Sequence, residues 1–134
     1  MSSDSLPASL RTNIKFIDEQ HAALLQVADE IIDLINSAPD REKIEDLVGF
    51  LKSYTINHFK EEEELMLSKK YIEYEAHKKE HDYFNYYIQT VSDDLAKITD
   101  VKDITSDVIE SLRDWIVEHV HKTDIKMAEY VRSY

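Results

Sequence analysis

Residues 17–35 read IDEQHAALLQVADEIIDLI, with apolar side chains at Ile17, Leu24 and Ile31 and again at Ala28 and Ile35. Leu25 and Ile32 widen the stripe. Steps of three and four residues place these positions on one face of a helix. The Ser37-Ala38-Pro39-Asp40 stretch closes it, since proline cannot continue a helix and aspartate opens the next one. One position breaks the apolar rule: His21 stands on the stripe between Ile17 and Leu24.

The same period continues outward. A second helix is expected from about Arg41 to Leu67, with Ile44, Leu51 and Leu65 on one row and Val48 on the next. A third runs from about Ile72 to Ile98, on the rows Tyr74, Ile88, Leu95 and Phe84, Val91, Ile98. After a break at Thr99–Asp103 a fourth begins near Ile104, with Val108, Leu112 and Trp115 inward. Four amphipathic helices on short connections can hide their stripes only against one another. The expected fold is all-α, an up-down-up-down antiparallel four-helix bundle spanning residues 14–134, preceded by an irregular N-terminal arm at residues 1–13.

Composition agrees and narrows the function. The 134 residues hold a single glycine, Gly49, and no cysteine. Glycine-rich phosphate loops, disulfides, Cys-ligated zinc and a thiol nucleophile are therefore excluded. A formal net charge of −12 argues against nucleic acid, whose phosphates it would repel, and favours a monomer. No basic-then-apolar leader opens the chain, and the longest apolar run is Leu47–Leu51. Neither a signal peptide nor a membrane span is expected, and the location read from this is cytoplasmic.

Histidine occupies the gaps in every stripe. His58 fills the missing place on the second helix, and Glu62 continues the row through Val48 and Thr55. His77 and His81 interrupt the third helix, and His119 follows Leu112 and Trp115 on the fourth. Of the Glu61–Glu64 run, Glu62 falls on the inward row and Glu61 only at its edge. A lone inward imidazole is usually a core residue with a simple partner. Five, each costing about 1–3 kcal/mol if left unsatisfied, need a common partner, and a metal is the natural one. His58/Glu62 and His77/His81 are i,i+4 pairs, which set two donors one turn apart on one face.

Beyond His119 the helical phase slips. Holding the earlier phase would bury Lys122, Lys126 and Glu129, whereas Asp124, Met127, Ala128 and Val131 can face inward. An extra residue in one turn, a π-bulge, would cause this and bring Asp124 onto the face of His119. Five imidazoles and two carboxylates exceed what a single ion uses, and a mixture of nitrogen and oxygen donors suits a pair of iron or manganese ions, with iron favoured because histidine dominates.

The segments IDEQH (17–21), HFKEEE (58–63), HKKEH (77–81) and WIVEH (115–119), with Asp124 five residues further on, resemble the hemerythrin family, its single-domain bacterial members above all. The resemblance covers about Ile14 to Val131. It implies that His77, His81 and His119 ligate one iron and His21 and His58 the other. Glu62 and Asp124 then bridge the Fe2+/Fe3+ pair together with an oxo or hydroxo group. It further implies an open position on the second iron where dioxygen binds, walled by Leu24, Phe59, Trp115, Ile116 and Val120.

None of those five wall residues is a general acid, so reversible dioxygen carriage, storage or delivery is expected over catalysis, with an oxygen-consuming enzyme as recipient. The alternatives are a di-iron oxygen, iron or nitric-oxide sensor and a protein reacting with peroxide or nitric oxide. Three departures from the family pattern stand out. Thr123 replaces an aliphatic residue and is expected to wet the pocket. His121 lacks a counterpart and is read as a surface residue. The arm lacks a tryptophan common ahead of the first ligand. Tyr74, beside His77 on the inward row, is read mainly as packing, with a hydrogen bond toward the centre as the alternative.

Overall fold

The computed structural model describes residues 6–134; the first five residues of the expected arm lie outside the described residues. Its long helices are α1 (Lys15–Ser37), α2 (Arg41–Ser68) and α3 (Tyr74–Lys97). A fourth rod is built in three pieces: α4 (Asp107–His119), a π-helical turn (Val120–Asp124) and α5 (Ile125–Ser133). Short 3-10 turns lie at Ala8–Leu10 and Val101–Asp103, and the described residues contain no strand.

Neighbouring rods are antiparallel, as the side-chain pairs across two of the seams show. Residue numbers fall on one helix as they rise on the next: Lys52 meets Gln89 and His81 meets Glu63 across α2 and α3. Asp29 meets Arg113 and His21 meets Asp124 across α1 and the fourth rod. α1 packs closely on α2 and on α4, and α2 on α3, whereas the seam between α3 and α4 is the loosest of the four. Phe84, Ile31, Ile44, Leu51, Ile88 and Leu112 are sealed from water between the rods. Burying such side chains is worth about 1.5–3 kcal/mol each before conformational entropy is set against it.

Helix ends are fixed locally. Asp40 Oδ1 accepts from the Lys43 amide at the start of α2. At the start of α1 the buried Asp18 accepts from the Thr12 amide, the Thr12 hydroxyl and the Asn13 amide. Asn13 has a positive φ of 63°, which asparagine tolerates and which turns the chain into α1. This knot holds the arm one turn before His21. Leu6 and Leu10 of the arm are buried against the bundle. At the far end of α2, Lys70 takes the left-handed conformation and the Tyr71 amide reaches back to Met66 O.

The fold class is the expected one; three details correct the sequence reading, and a fourth, Tyr74, agrees with its reading as a packing residue. α3 begins at Tyr74, so Ile72 lies outside it and is 88% exposed. The fourth rod begins at Asp107 and turns Ile109 inward while leaving Val108 exposed; its buried row is Ile109, Leu112, Ile116, His119. On α2 the last apolar core position is Met66, with Leu65 only half-buried. Tyr74 is half-buried against Ile17 and Met66 and makes no hydrogen bond to the centre.

Candidate metal centre

The π turn expected from the phase slip spans Val120–Asp124. Its extra residue rotates the following helix so that Asp124, Met127 and Ala128 all become buried. A regular helix through His119 would have sent Asp124 elsewhere, because five residues exceed one 3.6-residue turn by more than a third.

His21 from α1, His58 and Glu62 from α2, His77 and His81 from α3, and His119 and Asp124 from the fourth rod are all buried, at 0–4% exposure. Their donor atoms form two groups. One comprises Glu62, His77, His81, His119 and Asp124; the other comprises His21, His58, Glu62 and Asp124. Two carboxylates belong to both. Glu62 turns Oε1 to the first group, 3.2 Å from Nε2 of both His77 and His81. It turns Oε2 to the second, 3.0 Å from His58 Nε2 and 3.4 Å from His21 Nε2. Asp124 divides likewise, with Oδ1 at 2.9 Å from His77 Nε2 and 3.1 Å from His119 Nε2 and Oδ2 at 2.9 Å from His21 Nε2.

These atoms are close, yet most are not aligned on one another. His21 Nε2, His81 Nε2, His119 Nε2, Glu62 Oε2 and both Asp124 oxygens have no hydrogen-bond partner despite complete burial. Buried polar groups are nearly always paired, so donor atoms gathered within 4.8 Å of one another without pairing fit a cation between them. The donor set, imidazole nitrogen plus carboxylate oxygen, suits a first-row transition metal.

Without a metal the same groups titrate abnormally. Burial, the largest influence on His21, His77 and His119, disfavours their charged forms, but the carboxylates of Asp124 and Glu62 lying close beside them outweigh it. Glu80 adds to this at His119. The pKa rises to about 9 at His21 and His77 and to about 10 at His119. Burial works against the charged form of Glu62 too, yet His58, His21 and His77 hold it well below the usual carboxylate range. Asp124 is opposed by burial and by Glu62, and His119 and His21 nevertheless keep it low. The metal-free interior is thus a net of imidazolium–carboxylate pairs.

Three imidazoles are oriented from outside. His81 Nδ1 donates to Glu63 and His119 Nδ1 donates to Glu80, each at 2.8 Å. His58 Nδ1 donates to Gln20 Oε1, and the Gln20 amide group donates in turn to Glu61. Such partners fix which nitrogen faces inward. Glu63, Glu80 and Gln20 were missed in the sequence; their signal was adjacency, since each directly follows or precedes an inward ligand-type residue. Glu61, read as an edge residue of the stripe, is exposed and acts through Gln20.

Thr123 corrects an expectation. Its hydroxyl donates to Glu80 at 2.8 Å, reinforcing the partner of His119, and it does not line the inner cavity. His121 is exposed as expected, and its Nδ1 also donates to Ser9 O, tying the arm to the π turn. The inner cavity, about 10 Å³, is bounded by His21, His58, His119 and Asp124 together with Leu24, Phe59, Trp115, Ile116 and Val120. Thr55 also lines it, its hydroxyl committed to Leu51 O at 2.6 Å. Phe59 stacks on His81 at 3.8 Å and Trp115 on His119 at 4.6 Å, so aromatic walls and imidazoles pack as one layer.

Fold and site together define a class: a helical bundle whose interior gathers histidines and two shared carboxylates into groups that could hold a metal ion. Residues 12–131 match the hemerythrin HHE cation-binding domain, and the chain belongs to that family. It is 32% identical over 119 residues to a bacteriohemerythrin of Methylococcus capsulatus, covering 87% of each chain. It is also 32% identical to a myohemerythrin of Theromyzon tessulatum over 82% of this chain and 78% of the relative. A crystal structure of a single-residue variant of a hemerythrin superposes with a TM-score of 0.84 at 26% identity, covering 98% of both chains. Among the described residues no helix is long and apolar enough to cross a membrane.

Proposed function

We propose that the chain reversibly binds dioxygen at a non-haem di-iron centre held by His21, His58, Glu62, His77, His81, His119 and Asp124. The observation that carries this reading is the division of labour within Glu62 and Asp124, each giving one oxygen to either group of histidines. Such a division suits two ions side by side. One group has three imidazoles and the other two, so the His21/His58 side is one protein donor short. A pair of ferrous ions held there would supply two reversibly transferable electrons.

The protein's own part is to shape and dry the space on the His21/His58 side. The 10 Å³ cavity touches His21 and His58 and is of the size of one small molecule. Leu24, Phe59, Trp115, Ile116 and Val120 exclude water, and the Thr55 hydroxyl is engaged with its own helix. Apart from the ligand set itself, the lining therefore offers no side chain placed to deliver a proton, which favours release of the gas over its reduction. Gln20 holds the His58 ring with Nε2 inward, and Glu63 and Glu80 do the same for His81 and His119.

Anaerobic loading with ferrous iron, followed by repeated admission and removal of oxygen, tests the reading. A visible charge-transfer band that comes and goes over several cycles is the expected result. Irreversible bleaching with consumption of peroxide or nitric oxide would replace carriage by a detoxifying reaction. Delivery to an oxygen-consuming enzyme, a monomeric state and a cytoplasmic location belong to the same proposal.

A further inference from the structure

At the end of the bundle remote from the histidines lies a cavity of about 170 Å³, bounded by all four rods. We propose that it is a second binding site, for a small primary amine carrying an apolar body of about six carbons. The proposal goes beyond dioxygen binding and does not depend on it. Measured along α3, His81 and Val91 are separated by about 15 Å of helix rise, so the cavity and the metal centre are separate places.

Size and lining come first. Native cores leave few voids larger than a water molecule. An aliphatic-lined cavity of about 150 Å³ admits a benzene-sized guest and stays dry without one. Here Ile35, Ile44, Val91, Leu95, Ile104 and Ile109 make the aliphatic part of the lining, to which Tyr87, Thr90 and Thr105 add hydroxyl groups. The cavity is lined by Tyr87, Val91 and Asp94 of α3 and by Val108 and Ile109 of α4, and because Asp94 and Val108 are exposed it is not sealed from solvent. A guest can therefore enter from the side without parting the core.

Charge selects the guest. Asp94 and Asp103 both line the cavity and both are exposed, which places their carboxylates at its rim. Neither forms an ion pair among the described residues. Arg41, docked at this end of α3, is occupied with Leu95 O, Ile98 O and Glu45, and neither it nor the nearby Lys97 and Lys102 lines the cavity. Carboxylates only accept hydrogen bonds, so an ammonium head with three donors complements them while its tail fills the aliphatic space. An anionic head of the same length would meet two like charges.

The test is titration of the protein with n-hexylammonium, n-hexanol and n-hexanoate, followed by the NMR methyl shifts of Ile104 and Ile109. Saturable binding is expected for n-hexylammonium, about fivefold tighter than for n-hexanol, with no binding of n-hexanoate. The Asp94→Asn/Asp103→Asn double variant should bring the amine down to the alcohol's affinity. Val108→Phe, at an exposed position over the mouth, should weaken both guests while the helical circular dichroism stays unchanged. Equal affinity for amine and alcohol, an unchanged double variant, or shifts that never saturate would each overturn the proposal. Reversible oxygen binding in a protein that ignores n-hexylammonium would overturn this inference alone.

Discussion

The two ends of this bundle bury their interiors by opposite means. Around Ile31, Ile44, Leu51, Ile88 and Leu112 the core is aliphatic and excludes water by area alone. Around His21, His58, His77, His81 and His119 the same four rods enclose imidazole and carboxylate at equal depth. An aliphatic core draws its stability from burial and needs neither an ion nor a proton to balance it. A core of ligands is stable only while something positive, a metal ion or bound protons, sits among the oxygens.

The sharpest way to break the polar end is Asp124→Ala, which takes one oxygen from each group of donors. On the proposed di-iron reading, metal content should fall from about two ions per chain to below one, read by elemental analysis, with the helical circular dichroism largely kept. His58→Ala attacks only the less populated side. It should abolish gas binding while costing less stability than metal, and equal loss of fold and metal would contradict its assignment.

At the aliphatic end, Leu112→Ala should cost about 2–5 kcal/mol in denaturant unfolding, by an amount that does not change when the metal is removed. The contrast should also appear in pH. In metal-free protein His21, His77 and His119 have raised pKa values, so their stabilising contribution is complete below about pH 6.5. It is lost as pH rises through about 9 to 10. Glu62 and Asp124 are depressed, so their contribution is present above the ordinary carboxylate range and lost only in strong acid. Thermal scans of the metal-free form should therefore show highest stability in mild acid and a decline toward alkaline pH. Metal affinity should rise across the same interval, since each ion displaces those protons.

Smaller effects probe the supports. Glu80→Gln leaves a hydrogen bond to His119 but removes its charge and should weaken metal binding by about tenfold, measured by competition with a chelator. Gly49 stands exposed within α2, and a Cβ built there meets nothing within 4 Å. Gly49→Ala should stabilise both metal states equally, by about 0.5–1 kcal/mol.

Much of this was legible beforehand because a helix maps linear spacing onto a face. His21, His58, Glu62, His77, His81 and His119 all interrupt apolar rows, and a row can be read without knowing its neighbour. Even the π turn showed itself, since an unbroken phase would have buried Lys122, Lys126 and Glu129. Side chains at the margin of a row were harder to place. Thr123 pointed toward Glu80 and not into the pocket because a π turn redirects every residue within it. Val108 and Ile109 exchanged roles because the fourth rod began at Asp107, three residues later than its first apolar residue, Ile104.

Periodicity and residue chemistry by themselves determined four rods, seven inward donors and the place where the fourth rod must bulge, because each is a property of one helix. Tertiary packing decided which oxygen of Glu62 and Asp124 faces which histidines, which neighbours hold the rings, and where the rods fail to meet. Those depend on distances between helices, and chain order carries no record of such distances until the rods are packed.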